Sequence, residues 1–199
     1  EKQAKDLQAT IDQLKAADAQ VALNERLASD VYKQLSQGQG EERLKGIDAY
    51  ARVDKTKLSP FANMVIADRQ TLLRKEVGAS FLERGKAAFR KQDYPTAVTE
   101  LTRFMAMNPV EDDAADGAYF LGNALIQTKK SEEAIAHLQR FINYDKKAKN
   151  RDFAMLMLVQ ALDATNQHDK AVEVAREALN TYPNTEFLNK TRPPLIERH

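Results

Sequence analysis

Catalysis needs side chains that donate protons, attack or hold metal, and this chain carries few that are grouped for such work. Its three histidines are His137, His168 and His199. None has a second histidine or an acid at a recurring metal-ligand spacing, so structural or solvated roles account for them. Cysteine is absent, which removes thiol nucleophiles, thiolate metal sites and disulfides together. Ser29, Ser36, Ser59, Ser80 and Ser131 lie in no nucleophile motif, and Ser59 and Ser131 read instead as helix caps. Gly38-Gln39-Gly40 lacks a following Gly-Lys-Ser/Thr and is no phosphate loop. Glu111-Asp112-Asp113 with Asp116 offers carboxylates to a cation, but the spacing matches no calcium loop, and an acidic first helical turn explains it. The densest basic run, Lys146-Lys147-Ala148-Lys149-Asn150-Arg151, reads as a solvated inter-repeat loop, with contact to an acidic partner as the alternative. The sequence thus predicts no catalytic residue, no metal site and no cofactor, and the expected class is not an enzyme.

The elements that would position any functional residue are announced by a repeat. Ala97, Ala134 and Ala171 lie 37 residues apart. Each opens a shared pattern, running through Leu101, Phe104 and Pro109, then Leu138, Phe141 and Lys146, then Ala175, Ala178 and Pro183. Upstream, Gly85, Gly122 and Val159 occupy one offset, and turn markers fall at Gln92-Asp93-Tyr94, Lys129-Lys130-Ser131 and Gln167-His168-Asp169. Such a unit is a helix–turn–helix that cannot bury its apolar face alone, so copies must stack. Stacked helical pairs build a surface rather than a reaction centre. The expected pairs are 79–92 with 94–107, 113–128 with 131–144, and 151–166 with 168–181, with Asp112 or Asp113, Ser131 and Asn150 as caps.

Composition agrees. The chain has 199 residues, 43% hydrophobic and 30% charged, which suits one helix-rich domain or two small ones. Lys and Arg number 30 against 29 acids, a net charge of +1, so there is no electrostatic case for nucleic acid or an anionic membrane. No apolar run reaches the ~18 residues a membrane span needs.

Residues 1–37 contain neither Pro nor Gly. Leu7, Leu14, Val21, Ala28 and Leu35 recur every seven residues beside a companion seam of Ala4, Ile11, Asp18, Glu25 and Tyr32. An alternative stripe, Leu23, Leu27, Val31 and Leu35, has the spacing of a globular helix. The helix therefore either docks on the rest of the chain or self-associates. Gly38-Gln39-Gly40 ends it, a second helix covers 41–53, and Ser59-Pro60 starts a helix over 60–76 that Gly78 kinks or separates from the first clear repeat. Gly46, Tyr50 and Val53 echo the offsets of Ala97, Leu101 and Phe104, a degenerate repeat. Beyond Pro183, residues 184–190 could add a turn or two of helix before Pro193-Pro194 stops it. Phe187, Leu188, Leu195 and Ile196 could fold back on the open end of the stack, or a second chain could cover it.

The series Gly85…Ala97…Leu101…Phe104…Pro109, Leu121-Gly122-Asn123…Ala134…Leu138 and Ala171…Pro183 resembles the tetratricopeptide repeat, over residues 79–183. The family's usual Trp is Phe81, Ala118 and Met155 here, Lys146 replaces a terminal Pro, and the 37-residue step exceeds the usual ~34. The resemblance implies an all-α solenoid of helical hairpins over 79–183. A long helix (1–37) and a degenerate helical pair or linker (38–78) precede it, and a short extension (184–199) follows. A long N-terminal helix followed by three stretched repeats is also similar in architecture to Tol–Pal-associated cell-division coordinators of the bacterial periplasm and to outer-membrane-associated repeat scaffolds.

In such arrays the first helix of each pair lines a concave face. Carried onto this chain, the resemblance implies a partner-binding face of Lys86, Phe89 and Arg90 with Leu82, then Tyr119, Asn123 and Gln127 with Asp116 and Ile126, then Phe153, Gln160 and Asp163 with Leu156. Three aromatics among mixed polar groups suit a peptide. Phe89, Ile126 and Leu156 would equally serve as core, whereas Lys86, Tyr119, Asn123 and Gln160 are harder to place there. The family's clamp for a C-terminal carboxylate would need Lys, Asn and Arg where this chain has Leu82, Lys86, Phe120, Phe153 and Met157, and none of the five keeps the expected residue.

The expected function is a non-enzymatic protein–protein interaction scaffold that binds a peptide or a partner domain. An oligomerising spacer joined through the N-terminal helix and a cytosolic adaptor subunit of an enzyme complex are the alternatives. Partners are protein or peptide, with no nucleic acid and no membrane span. The bacterial cell envelope, periplasmic or outer-membrane-associated, is the expected location, and the cytoplasm is the alternative. The stretched repeat, the long helix, the missing cysteines and a start at Glu1 that could follow a removed signal or lipid anchor support the envelope.

Overall fold

The computed structural model describes residues 2–37, 42–144 and 149–185. The expectations placed on Gly38-Gln39-Gly40, on Lys146-Lys147-Ala148 and on everything after Thr185, including His199, lie outside the described residues. Among those described there are eight α-helices, one 3-10 turn and no strand: α1 (Lys2–Gln37), α2 (Glu42–Arg52), the turn Lys55–Lys57, α3 (Pro60–Arg90), α4 (Tyr94–Ala106), α5 (Glu111–Gln127), α6 (Ser131–Tyr144), α7 (Arg151–Ala164) and α8 (His168–Thr181). The chain divides into two compact units, Glu1–Val77 and Gly78–His199.

In the first unit, α1 packs on α2 only through its last turns. Ala28, Val31 and Leu35 are buried there, as are Ile47 and Tyr50 of α2. Gly46 lets the two helices approach, since a β-carbon at that position would stand 3.1 Å from the Gln34 backbone. From Lys5 to Leu27 the side chains of α1 are exposed apart from half-buried Asn24, with Leu7 at 64%, Leu14 at 62% and Val21 at 56%. The alternative stripe is split, with Val31 and Leu35 buried but Leu23 and Leu27 exposed. Arg43 bridges Glu76 at 2.7 Å, and Leu58, Ile66, Leu73 and Val77 complete the buried set. Ser59 caps α3 as expected, accepting from the Ala62 N–H at 3.1 Å.

The sequence reading placed separate helices over 60–76 and 79–92, whereas α3 runs unbroken from Pro60 to Arg90 through Gly78. Glycine in a helix interior costs only about 1 kcal/mol. Gly78 sits close against the next helix, where an added β-carbon would meet Met107 at 3.6 Å and Phe104 at 3.7 Å.

The second unit realises the 37-residue step in its backbone. Gln92, Lys129 and Asn166 all take left-handed φ, at 62°, 61° and 58°. After each, an N–H reaches back to close the first helix: Asp93 to the Ala88 carbonyl (3.0 Å), Lys130 to Leu125 (2.8 Å) and Gln167 to Leu162 (2.8 Å). This satisfies carbonyls that a helix end leaves open and reverses the chain into the second helix. Packing repeats in the same register. Ala97, Ala134 and Ala171 are fully buried. A β-carbon on Gly85 would lie 2.6 Å from Leu101 Cγ, and one on Gly122 would lie 2.7 Å from Leu138 Cγ. Those contacts demand glycine in the first helix so that leucine can sit on it.

Two expectations change at helix starts. The N-cap of α5 is Val110, with Glu111, Asp112 and Asp113 all inside the first turn, and Asn150 precedes α7 at φ 68° with no side-chain capping bond. Asp93, not anticipated, caps α4 through Thr96 N–H at 3.3 Å. The larger correction is Arg151, read as part of a solvated basic loop. It is 5% exposed. Its guanidinium donates to the Ile142 carbonyl (3.0 Å), to Glu177 (3.1 Å) and to the Tyr182 hydroxyl (3.4 Å), tying α6, α7 and the end of α8 together. Burial opposes its charge, but the bonds to Tyr182 and Glu177 outweigh that cost and hold its pKa above the ordinary value.

Candidate partner-binding face

The first helices of the three pairs are the C-terminal part of α3, then α5 and α7. α6 packs on α5 and α8 on α7, α4 meets α3 where Leu101 lies against Gly85, and α5 also meets α7 directly. This positions side chains of successive first helices side by side. Lys86 on α3 is mostly buried and ion-pairs with Asp116 on α5. Its ammonium lies 5.5 Å from the centre of the Phe120 ring, and Glu83 stands 3.8 Å away on its own helix.

A continuous run of rings crosses the same region. Tyr94 meets Phe89 edge-on at 5.6 Å, Phe89 meets Phe120 at 5.4 Å, Phe120 meets Tyr119 at 5.2 Å, and Tyr119 meets Phe141 at 4.9 Å. The first three pairs are edge-to-face and the last is tilted at 46°; edge-to-face pairs at these separations are favourable beyond the area they bury. Phe89, Tyr119, Phe120 and Phe153 remain half-buried, so each keeps part of its ring at the surface. Burial first, then the carboxylates of Asp152 and Asp116, push the Tyr119 hydroxyl above its ordinary pKa.

The remaining expected residues divide by exposure. Arg90, Gln127 and Gln160 are exposed, Asp163 is half-buried, and Leu156 is core. Asn123, expected on the surface, is only 2% exposed. Its Nδ2 donates to the Tyr119 carbonyl one turn back at 2.9 Å, while its Oδ1 has no partner among the described residues. Sequence reasoning missed Phe120 as the hub of the ring cluster. Its place two residues before Gly122 on the first helix was the available signal. It also missed Tyr94, which enters through the following helix.

The groups that could suggest chemistry are elsewhere engaged. Asp163 lies 2.8 Å from Nδ1 of His168. Burial and the nearby Arg140 lower the pKa of His137, partly offset by Glu133. Among the described residues no group of acids and histidines could hold a metal ion, and no helix is long and apolar enough to cross a membrane.

Two sequence-family profiles, each described as tetratricopeptide repeat, match residues 82–151 and 153–185. Among solved structures, the Arabidopsis OM64 TPR domain superposes with a TM-score of 0.53 at 19% identity, over 63% of this chain and 99% of that one. At that identity the likeness is one of fold. No curated protein sequence matches the chain.

Proposed function

Since the chain belongs to the tetratricopeptide-repeat family and is built as a protein–protein interaction scaffold, we propose that it is a non-enzymatic module that binds an extended peptide or a loop of a partner along the first helices of its three pairs. The observation that carries this reading is the ring cluster Phe89–Phe120–Tyr119, half-exposed beside the Lys86–Asp116 pair. Rigid aromatics that keep accessible surface next to oriented charges are the anchors from which peptide affinity is built.

The test uses the full chain and peptides selected on it from a random dodecapeptide phage library. Replacing exposed Arg90, Gln127 and Gln160 together by alanine is expected to weaken the selected peptides about tenfold. Replacing exposed Thr102, Gln139 and Glu173 on the second helices should leave affinity within about twofold. Loss confined to the second-helix variant would place the binding surface elsewhere.

A second reading concerns α1. Leu7, Leu14 and Val21 recur at seven-residue spacing and are exposed together with Ile11. A second copy of this helix would cover them, making the chain an oligomer that presents several repeat arrays. A sedimentation mass equal to the monomer at all concentrations would remove this reading. The bacterial envelope is the location we favour. It rests on the architecture and the lack of cysteine, and fractionation of cells producing the native gene product decides it.

A further inference from the structure

Two carboxylates interrupt the exposed seam of α1, and they decide in which direction a second copy can lie on it. In the seven-residue frame one row holds Ile11, Asp18 and Glu25, and the other holds Leu7, Leu14 and Val21. Gln8, Lys15 and Ala22 flank the first row, and Thr10, Ala17 and Asn24 flank the second. All but half-buried Asn24 are exposed, and neither Asp18 nor Glu25 has an ion-pair partner among the described residues. A parallel, in-register pair brings each row against itself. Asp18 then meets Asp18 of the second copy, and Glu25 meets Glu25, like charges partly withdrawn from water. Its flanks set Thr10 beside Lys15 and Ala17 beside Ala22, with no opposite charges. An antiparallel pair crosses the rows instead, so Ile11 meets Val21, Leu14 meets Asp18 and Leu7 meets Glu25. The flank of one copy then runs beside the first row of the other: Lys15 beside Asp18, Gln8 beside Glu25 and Ala22 beside Ile11. Each acid gains a donor, and the isoleucine gains an apolar neighbour. Gln8 Nε2 already donates to Asp12 at 3.0 Å and has a second N–H left for Glu25.

We propose that α1 pairs with α1 of a second copy in antiparallel orientation, centred near Ala16, with Lys15 of each copy ion-paired to Asp18 of the other. The proposal rests on the oligomer reading of α1 and adds the number of copies and their direction. Two lysines and two aspartates alternate around the centre of the pair, and this arrangement fixes the register. The overlap from Leu7 to Glu25 is about 27 Å long. A seam this short, with polar residues in it, makes a dimer that dissociates on dilution. The chains leave the pair at opposite ends, and the dimer is bivalent for whatever the repeats bind.

Sedimentation of the full chain over a concentration series tests the number of copies, and disulfide trapping tests the direction. The chain has no cysteine, so introduced ones report only their own neighbours. Leu7→Cys mixed with Glu25→Cys is expected to give covalent dimers under mild oxidation. Leu7→Cys alone is expected to give none, because its two copies would stand about 27 Å apart, far beyond the reach of a disulfide. Asp18→Lys should weaken the dimer about tenfold by facing Lys15 of the other copy, and adding Lys15→Glu should restore it. All these positions are exposed, so the helix itself tolerates the changes. Ready trapping of Leu7→Cys with itself, a mass of three copies or more, or no rescue by the charge exchange overturns the antiparallel pair and leaves the oligomer reading standing. A monomer at every concentration overturns the oligomer reading, and the antiparallel pair with it.

Discussion

In the first two helical pairs, a glycine of the first helix lies under a leucine of the second: Gly85 under Leu101, and Gly122 under Leu138. In the third pair the volumes are exchanged, with Val159 at glycine's offset and Ala175 at leucine's. Val159 is 2% exposed, so the larger side chain is accommodated in the first helix instead of the second. The third pair differs again at its start. Arg151 stands where the second pair has Ala114, and it binds the Ile142 carbonyl, Glu177 and Tyr182. What repeats, then, is the summed volume at a crossing and the path of the backbone. The residue that fills the crossing is free to move from one helix to the other.

The largest expected effect comes from forcing the third solution onto the second pair by halves. Gly122→Val drives a branched side chain into Leu138 and should destabilise by about 3 kcal/mol in urea unfolding. Leu138→Ala alone should cost about 2–4 kcal/mol through the cavity it leaves. The double variant reproduces the Val/Ala arrangement, and its cost should fall at least about 1 kcal/mol below the sum. Strict additivity would break the comparison, because it would mean that the two positions do not share one space.

Arg151→Met comes next. It keeps much of the buried stem but takes the guanidinium donor from the Ile142 carbonyl and breaks the pair with Glu177, so about 2 kcal/mol should be lost. An equivalent change at exposed Lys149 should be within about 0.5 kcal/mol of neutral. If the two behave alike, Arg151 is not the pin that distinguishes the third pair.

The smallest effect tests what all three pairs share. Lys129 holds a left-handed turn at φ 61°. Lys129→Gly removes a steric strain of ~1–2 kcal/mol and adds unfolded-chain entropy worth ~0.5–1 kcal/mol, for a net gain of about 0.5–1 kcal/mol. Thermal unfolding reads the sign, and a loss would mean that the Lys129 side chain contributes more than its backbone strain costs.

Much of the fold was legible because it is periodic. The 37-residue register, the buried alanines, the three hairpins and the Ser59 start are local patterns in which spacing alone fixes the outcome. The candidate face was legible only as a set of positions. Placing Lys86, Tyr119 and Gln127 on first helices needs nothing beyond the repeat. That Lys86 pairs with Asp116, that Phe120 links the rings, and that Asn123 is buried all depend on how one first helix meets the next.

The sequence by itself determined the helices, their pairing and the small residues at each crossing, because these follow from 3.6-residue periodicity and from steric limits within one hairpin. Tertiary structure decided the rest. Gly78 signals a break in sequence, but the helix continues through it where Met107 and Phe104 pack close by. Arg151 belongs to a basic run in sequence, but acceptors on α6 and at the C-terminal end of α8 draw it inside. In both cases the deciding partners lie 9 to 31 residues away along the chain, and no local pattern of residue types specifies which distant atoms will arrive to satisfy a donor or fill a gap.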